Sequence, residues 1–534
     1  MRRAAALALV ASGCTLVVDL PSAAPEESPR ACMNGIDDDL DGEVDCADPS
    51  CRAFCWSESR LTPPSVEDCF VDAAHGLAFR VVTTAGTNTR CEPDPDETPP
   101  CEGGAHRPPG AASCRTPGTD CPEGDWPAPI DDGRATLHVR AGASGGDGSA
   151  GAPFGTLAEA LAAAPDGARV VLARGAHDAP PPIERALELR GACANETTIL
   201  GAVAVRAPGV ALADLSLVGP EDEPALDAGA DTALAGVAVE GAVLVRGALL
   251  EAEDTKFTHA GGLAITAREG ARVRVVASTI TAASGVDAEA SALTLSGVRV
   301  AGSTGRGLRL GPGARTDGAA GVVVDPVRGT AVELACDAGE VRCADFDALV
   351  VRFPRGLPTS GRGVLVRSGR VRLRRAYVAR SFEPALDVEG GAVDLEDGTI
   401  ESSEGGAARV GSGGRLVLLR TYLHHNRQFA LRAEAGSEIN GINVGMVGGP
   451  LNGGDVCVEA APGSQLWLTR FLTEQCRLCG VRVERDVDLS LRDGVIAGNM
   501  IGLCAVEGAS YPVSDLTSSV AYRDNGANLA PIRR

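Results

Sequence analysis

The densest chemistry in this chain lies near its N-terminus, in ACMNGIDDDLDGEVDCADPSC at residues 31–51. Seven carboxylates and three cysteines share those twenty-one positions. Counting Asp37 as position 1 puts Asp39 at 3, Asp41 at 5, Gly42 at 6, Glu43 at 7, Asp45 at 9 and Asp48 at 12. Oxygen ligands at alternating positions can wrap one hard cation, and the glycine permits the sharp turn. At position 7 the backbone carbonyl of Glu43 would bind. The spacing predicts a structural Ca2+ site, weak because Asp48 stands where a longer bidentate glutamate is usual. Cys32, Cys46, Cys51 and Cys55 occupy the flanks where an EF-hand carries helices, and Pro49 forbids a simple exiting helix. The other reading is an acidic linker.

This stretch resembles short calcium repeats of exported proteins, such as thrombospondin type 3 repeats. It also resembles the Cys-Asn-Gly-x-Asp-Asp-Asp-x-Asp-Gly-x-x-Asp-Cys segments of myxobacterial surface lipoproteins, with Met33 inserted after Cys32. The preceding residues agree with export. Met1-Arg2-Arg3 and AAALALVA form a positive n-region and a short apolar h-region. They run into Ala11-Ser12-Gly13-Cys14, which resembles a bacterial lipobox and implies cleavage after residue 13 and lipidation of Cys14. Thr15 after the cysteine implies the outer membrane. The alternative is an ordinary secretory signal whose Cys14 pairs elsewhere. No later segment reaches eighteen consecutive apolar residues, so lipid is the expected membrane anchor. Residues 14–30 then form a Pro/Ser/Glu-rich tether.

Seventeen cysteines leave sixteen for pairing once Cys14 is lipidated, and an exported location makes disulfides the default. Cys193 can complete the set between Cys32 and Cys121. Cys336, Cys343, Cys457, Cys476, Cys479 and Cys504 form a second even group. Cys476-Arg-Leu-Cys479 has redox or zinc spacing, but no second such pair accompanies it, and structural disulfides are expected. The net charge of −22 repels phosphate backbones and argues against nucleic-acid partners.

The elements around this chemistry change texture along the chain. Residues 56–134 are rich in cysteine and proline and predict a loop-rich stapled region. At Thr136 a strand, a glycine-rich turn and a short helix begin. Thr156 and Glu159 form a capping box, Leu157, Ala160, Leu161 and Ala164 share one face, and Pro165-Asp166-Gly167 stops the helix. Beyond about residue 200 a repeat emerges in which an apolar residue precedes a glycine by five positions. FTHAGG from Phe257, ITAASG from Ile280, VAGSTG from Val300, VDPVRG from Val324, VRFPRG from Val351 and IESSEG from Ile400 show it. Val378 and Leu423 keep the phase, with Glu383 and Gln428 replacing the glycine. Successive apolar positions lie 23, 20, 24, 27, 27, 22 and 23 residues apart. No helix-length segment fits inside a unit, so the period predicts a β-helix of roughly sixteen to eighteen coils. The repeat glycines are expected at corners needing a left-handed backbone.

Residues 135–534 resemble the pectin-lyase-like right-handed parallel β-helix family. GTLAEALAAAPDGARVVLARGAH matches its opening of capping helix and first coil, and YRDNGANL resembles its last turns. The resemblance implies an all-β fold and covers about three-quarters of the chain. Polygalacturonase-like members carry an Asn-Thr-Asp, an adjacent Asp pair and a His-Gly in order, and this sequence lacks that order. The remaining acidic spots are Glu221-Asp222-Glu223, Asp394 with Glu396, and Glu401 with Glu404. Asp394 and Glu396 share one strand face, as a carboxylate pair would need, but a solvated acidic surface produces the same pattern. Neighbouring His424 and His425 on a strand point opposite ways, and the expectation is a surface corner. Trp467 is the only tryptophan inside the repeat, which makes a sugar-stacking platform poorly supplied. The expectation is a non-catalytic surface lipoprotein with no catalytic residues, presenting a rod to an extracellular glycan or protein. The alternative is a polysaccharide lyase or glycoside hydrolase.

Overall fold

The computed structural model describes residues 101–532 apart from 102, 112, 338–341, 354–359, 449–455, 507–510, 512–515 and 517–518. Before residue 101 it gives the backbone of two short antiparallel pairings, Val71–Asp72 with Leu77–Ala78 and Arg80–Thr83 with Thr89–Glu92. Cys14 and the Asp37–Asp48 loop lie outside the described residues.

From Thr136 onward the chain is a parallel β-solenoid of about 15 turns. One coil shows the plan. Ala392–Glu396 belongs to a first sheet, Thr399–Glu401 to a second and Ala408–Val410 to a third, before Arg415–Leu419 returns to the first. Each strand pairs in parallel with its counterpart a coil away, about 4.8 Å off. There are fewer turns than the repeat period predicts. The stretch from Val139 to Ala168 holds the helix rather than extra coils, and several coils are lengthened between strands, as between Arg352 and Gly361.

The repeat's apolar positions form one column of the core. Phe257, Ile280, Val300, Val324, Val351, Ile400 and Leu423 are all at most 1% exposed. Register continues the column to Met446 and Thr473. Strand alternation sends each of these side chains inward, where it packs on its equivalent in the next coil.

The repeat glycines follow the expectation only in part: Gly329 (φ 83°) has the left-handed backbone. Gly285 and Gly405 do not have left-handed backbones. A Cβ on Gly285 would lie 2.5 Å from Val300 Cγ1, and one on Gly405 2.5 Å from the Glu383 carbonyl carbon. They are small because neighbouring coils approach closely. The left-handed corner falls two residues after the apolar position, at Arg380 (φ 61°), Ser402 (φ 54°) and His425 (φ 56°). An inward polar ladder follows it. Ser381 and Ser403 hydroxyls lie 2.9 Å apart, and Asn426 Oδ1 accepts from the Ser403 amide at 3.0 Å. These bonds satisfy backbone groups that a corner would leave orphaned.

The N-terminal end is covered as expected. The helix Leu157–Ala163, α1, has the Thr156/Glu159 capping box, and Leu157, Ala160, Leu161 and Ala164 are buried. Residues 101–134 run back along the solenoid towards that end. Lys256 Nζ donates to the Gly103 carbonyl, Thr119 N to Asp214, and Arg169 to Asp132. Cys101–Cys114 and Cys121–Cys193 staple this strap. In the solenoid, Cys336 pairs with Cys343, Cys457 with Cys476 and Cys479 with Cys504. The CxxC cysteines thus join different partners in structural bonds.

Candidate functional site

The outer faces of the three sheets carry the polar side chains, and their register decides what those side chains can do. On the third sheet one outward row reads Asp287, Arg309, Glu333, Leu365, Asp387, Arg409, Arg432, Glu459, Arg482. In-register parallel strands would stack like charges at a separation of about 4.8 Å, and alternation replaces most of that repulsion by pairing. Arg409 donates two bonds to Asp387, at 2.8 and 2.9 Å, and Asp287 accepts from Arg309 at 2.8 Å. Glu459 is shared by Arg432 at 2.8 Å and Arg482 at 3.1 Å.

The carboxylates singled out by sequence are drawn into similar pairs. Asp394 and Glu396 do share the outward face of their strand. Asp394 lies 3.7 Å from Arg370 and 4.0 Å from Arg342, and Glu396 accepts from Arg372 at 2.8 Å. Glu404 is paired with Arg427. Glu221-Asp222-Glu223 sits on an exposed turn, away from these residues in the coil order.

His424 departs from the expectation of a surface corner, whereas His425 lies exposed at one. His424 is 3% exposed, stacked on Tyr422, and its Nε2 lies 3.0 Å from Glu401. Glu401 also accepts from the Tyr377 hydroxyl. The left-handed φ of His425 bends the strand end, so the two Nδ1 atoms come within 3.0 Å instead of pointing apart. Burial, then the neighbouring His424, lower the pKa of His425 against the opposing pull of Glu401. His424, Glu401 and Tyr377 form a buried polar network under the second sheet's outer surface, with His425 exposed at its edge.

The first sheet is different towards its C-terminal coils. A groove of about 600 Å³ follows the corner where the third sheet passes to the first. Glycines at successive corners line it, and at Gly413 (φ 77°) and Gly463 (φ 72°) a Cβ would meet nothing within 4 Å. These are open backbone floors that need the left-handed conformation. Arg370, Asp394, Arg415, Glu438 and Gln465 also line the groove, with Arg415 3.1 Å from Glu438. One residue row inward, Asn440, Trp467 and Ser490 are in register on adjacent coils and face outward. The side chains of Asn440, Gln465, Trp467 and Ser490 have no hydrogen-bond partner among the described residues. Counting aromatics by sequence marked Trp467 only as the single tryptophan of the repeat. Its outward position on a sheet face required the register, although the alternation from Gln465 to Thr469 carried the signal.

The molecule is thus a parallel β-solenoid with ion-paired outer rows and, around Trp467, the side chains of Asn440, Gln465 and Ser490 without a hydrogen-bond partner among the described residues, beside the exposed Asp488 in register with Gln465. Its sequence matches no family model and no curated protein. Among solved structures it is similar to the catalytic domain of a GH87 alpha-1,3-glucanase in complex with nigerose. The identity is 11%, the TM-score 0.26, and the match covers 75% of this chain and 70% of that one. Two single-substitution variants of such a domain, also with nigerose, match at 10% identity and TM-score 0.27, with the same coverage.

Proposed function

We propose that the protein is a non-catalytic surface protein whose solenoid is a rod presenting a ligand-binding face. In this reading Cys14 carries the lipid that holds it at the outer membrane. The Asp37, Asp39, Asp41, Glu43, Asp45 and Asp48 loop, loaded with Ca2+, stiffens the joint between tether and rod. The observation that carries the reading is the state of the carboxylates. Asp394, Glu396, Glu401 and Glu404 are each engaged by a basic or histidine side chain. Hydrolysis by paired carboxylates needs one free to give a proton and another to attack or activate water.

The test is incubation of the full-length chain with a panel of neutral and acidic polysaccharides. No new reducing ends and no unsaturated uronides are expected, while co-sedimentation with at least one polymer or surface protein is retained. Release of either product would establish the alternative, a glycoside hydrolase or polysaccharide lyase.

A further inference from the structure

We propose that Trp467, with Asn440, Gln465 and Ser490, forms a subsite for a neutral, hydroxyl-rich glycan chain lying along the rod axis; this deepens the binding reading above and rests on it. Four observations support it. The indole faces outward from a β-sheet, and its coil neighbours on either side are Asn440 and Ser490. A flat apolar ring stacks on the C–H face of a sugar while adjacent amides and hydroxyls bond its edge hydroxyls.

The neighbouring polar groups are also uncommitted. Several outward side chains elsewhere on this sheet are tied up, as in Arg372 with Glu396 and Arg374 with Asp345. Around Trp467 the amides of Asn440 and Gln465 have no partner among the described residues, so they offer donors and acceptors without breaking an existing bond.

Charge selects the ligand class. The charged residues along the groove cancel: Arg370 faces Asp394 and Arg415 faces Glu438. A polyuronide would have to displace these internal carboxylates from their arginines, against a chain of net charge −22. A neutral glycan disturbs none of them. The open floors at Gly413 and Gly463 let a chain seat against backbone along the same edge. The coil rise, about 4.8 Å, is comparable with the length of one sugar ring, so successive rings meet successive coils.

The experiment uses the full-length chain and calorimetric titration with neutral gluco-, xylo- and manno-oligosaccharides, beside oligogalacturonate. Binding of a neutral oligosaccharide is expected, with affinity falling about tenfold or more in Trp467→Ala and largely kept in Trp467→Phe. Asn440→Ala is expected to weaken binding severalfold, and it keeps the test decisive should Trp467→Ala misfold. Unchanged affinity in these variants, or binding of oligogalacturonate alone, overturns the inference while leaving the binding reading standing. Shortening of the oligosaccharide during titration would instead overturn the non-catalytic reading, and Trp467 dependence would still support the subsite.

Discussion

Asp387 has no exposed side-chain surface, and its charge is tolerated because Arg409 grips it with two bonds, with Arg362 3.4 Å away. A buried carboxylate stripped of its partner is far costlier than an exposed pair is valuable. Arg409→Ala is therefore expected to destabilise the chain by about 3 kcal/mol, at the lower end of the usual range because Arg362 remains. Removing the charge together with its partner, as in Asp387→Leu with Arg409→Met, should recover most of that loss. Chemical denaturation midpoints of the three proteins check this, and equal losses in the single and double variants would show that packing rather than charge sets the cost. Residues like Asp387 also mark what sequence could reveal. Phe257, Ile280 and Leu423 announce themselves because an apolar residue recurring every 20–27 positions has few other causes. The alternation from Asp287 to Arg482 stays hidden, because unequal coil lengths scramble the spacing until the register is known. Trp467 was visible as a lone aromatic, but its free surroundings depend on neighbours in adjacent coils.

Among the elements, α1 and the 101–134 strap show two ways of protecting the solenoid. An open coil end exposes unpaired strand groups, and the capped helix covers it. Helix signals are local, so Thr156, Glu159 and Pro165 were readable from the chain itself. The strap has little apolar periodicity and is held by polar contacts that no local pattern betrays. Two left-handed corner residues hold it: Asp214 (φ 52°) accepts from the Thr119 amide at 2.9 Å, and Asp254 (φ 49°) from Gly118 at 2.8 Å. Burial raises the Asp254 pKa, but His106, the Gly118 amide and Arg115 outweigh it and leave the carboxyl below its ordinary value of 3.8. A depressed carboxyl stabilises the fold fully above its unfolded pKa, and this is lost as pH falls through the folded value. The strap contact should therefore hold at neutral pH and fail only below about pH 4. Amide exchange at Gly118, corrected for intrinsic rate, should show protection falling there, and Asp254→Asn should lower it already at pH 7. Protection independent of both pH and Asp254 would rule out this latch.

For the whole molecule, the solenoid is quasi-one-dimensional, each coil touching only its neighbours, so distant segments are energetically separable. Disulfides follow that logic: Cys457–Cys476 and Cys479–Cys504 each span roughly one coil. Cys121–Cys193 instead binds the strap to the early coils. For the residues before 101, the proposed Ca2+ loop from Asp37 to Asp48 would be a separate stabilising device. Seven acidic positions on a short loop repel one another without a cation, whereas a bound Ca2+ would convert that repulsion into coordination. Calcium should thus order residues 31–55 without moving the solenoid's unfolding transition. Chelation should expose that segment to limited proteolysis while residues 136–532 remain resistant. Asp39→Ala with Asp41→Ala should abolish the difference, because they remove two of the alternating ligands that close the loop around the ion. Calorimetry should show one weak site in the unaltered chain and none in the variant. Identical digestion patterns with calcium and with chelator would sink the calcium reading and leave the stretch as an acidic, disulfide-bearing linker. A shift of the solenoid's own transition on chelation would instead place calcium's effect in the rod, against the separability that its one-dimensional packing requires.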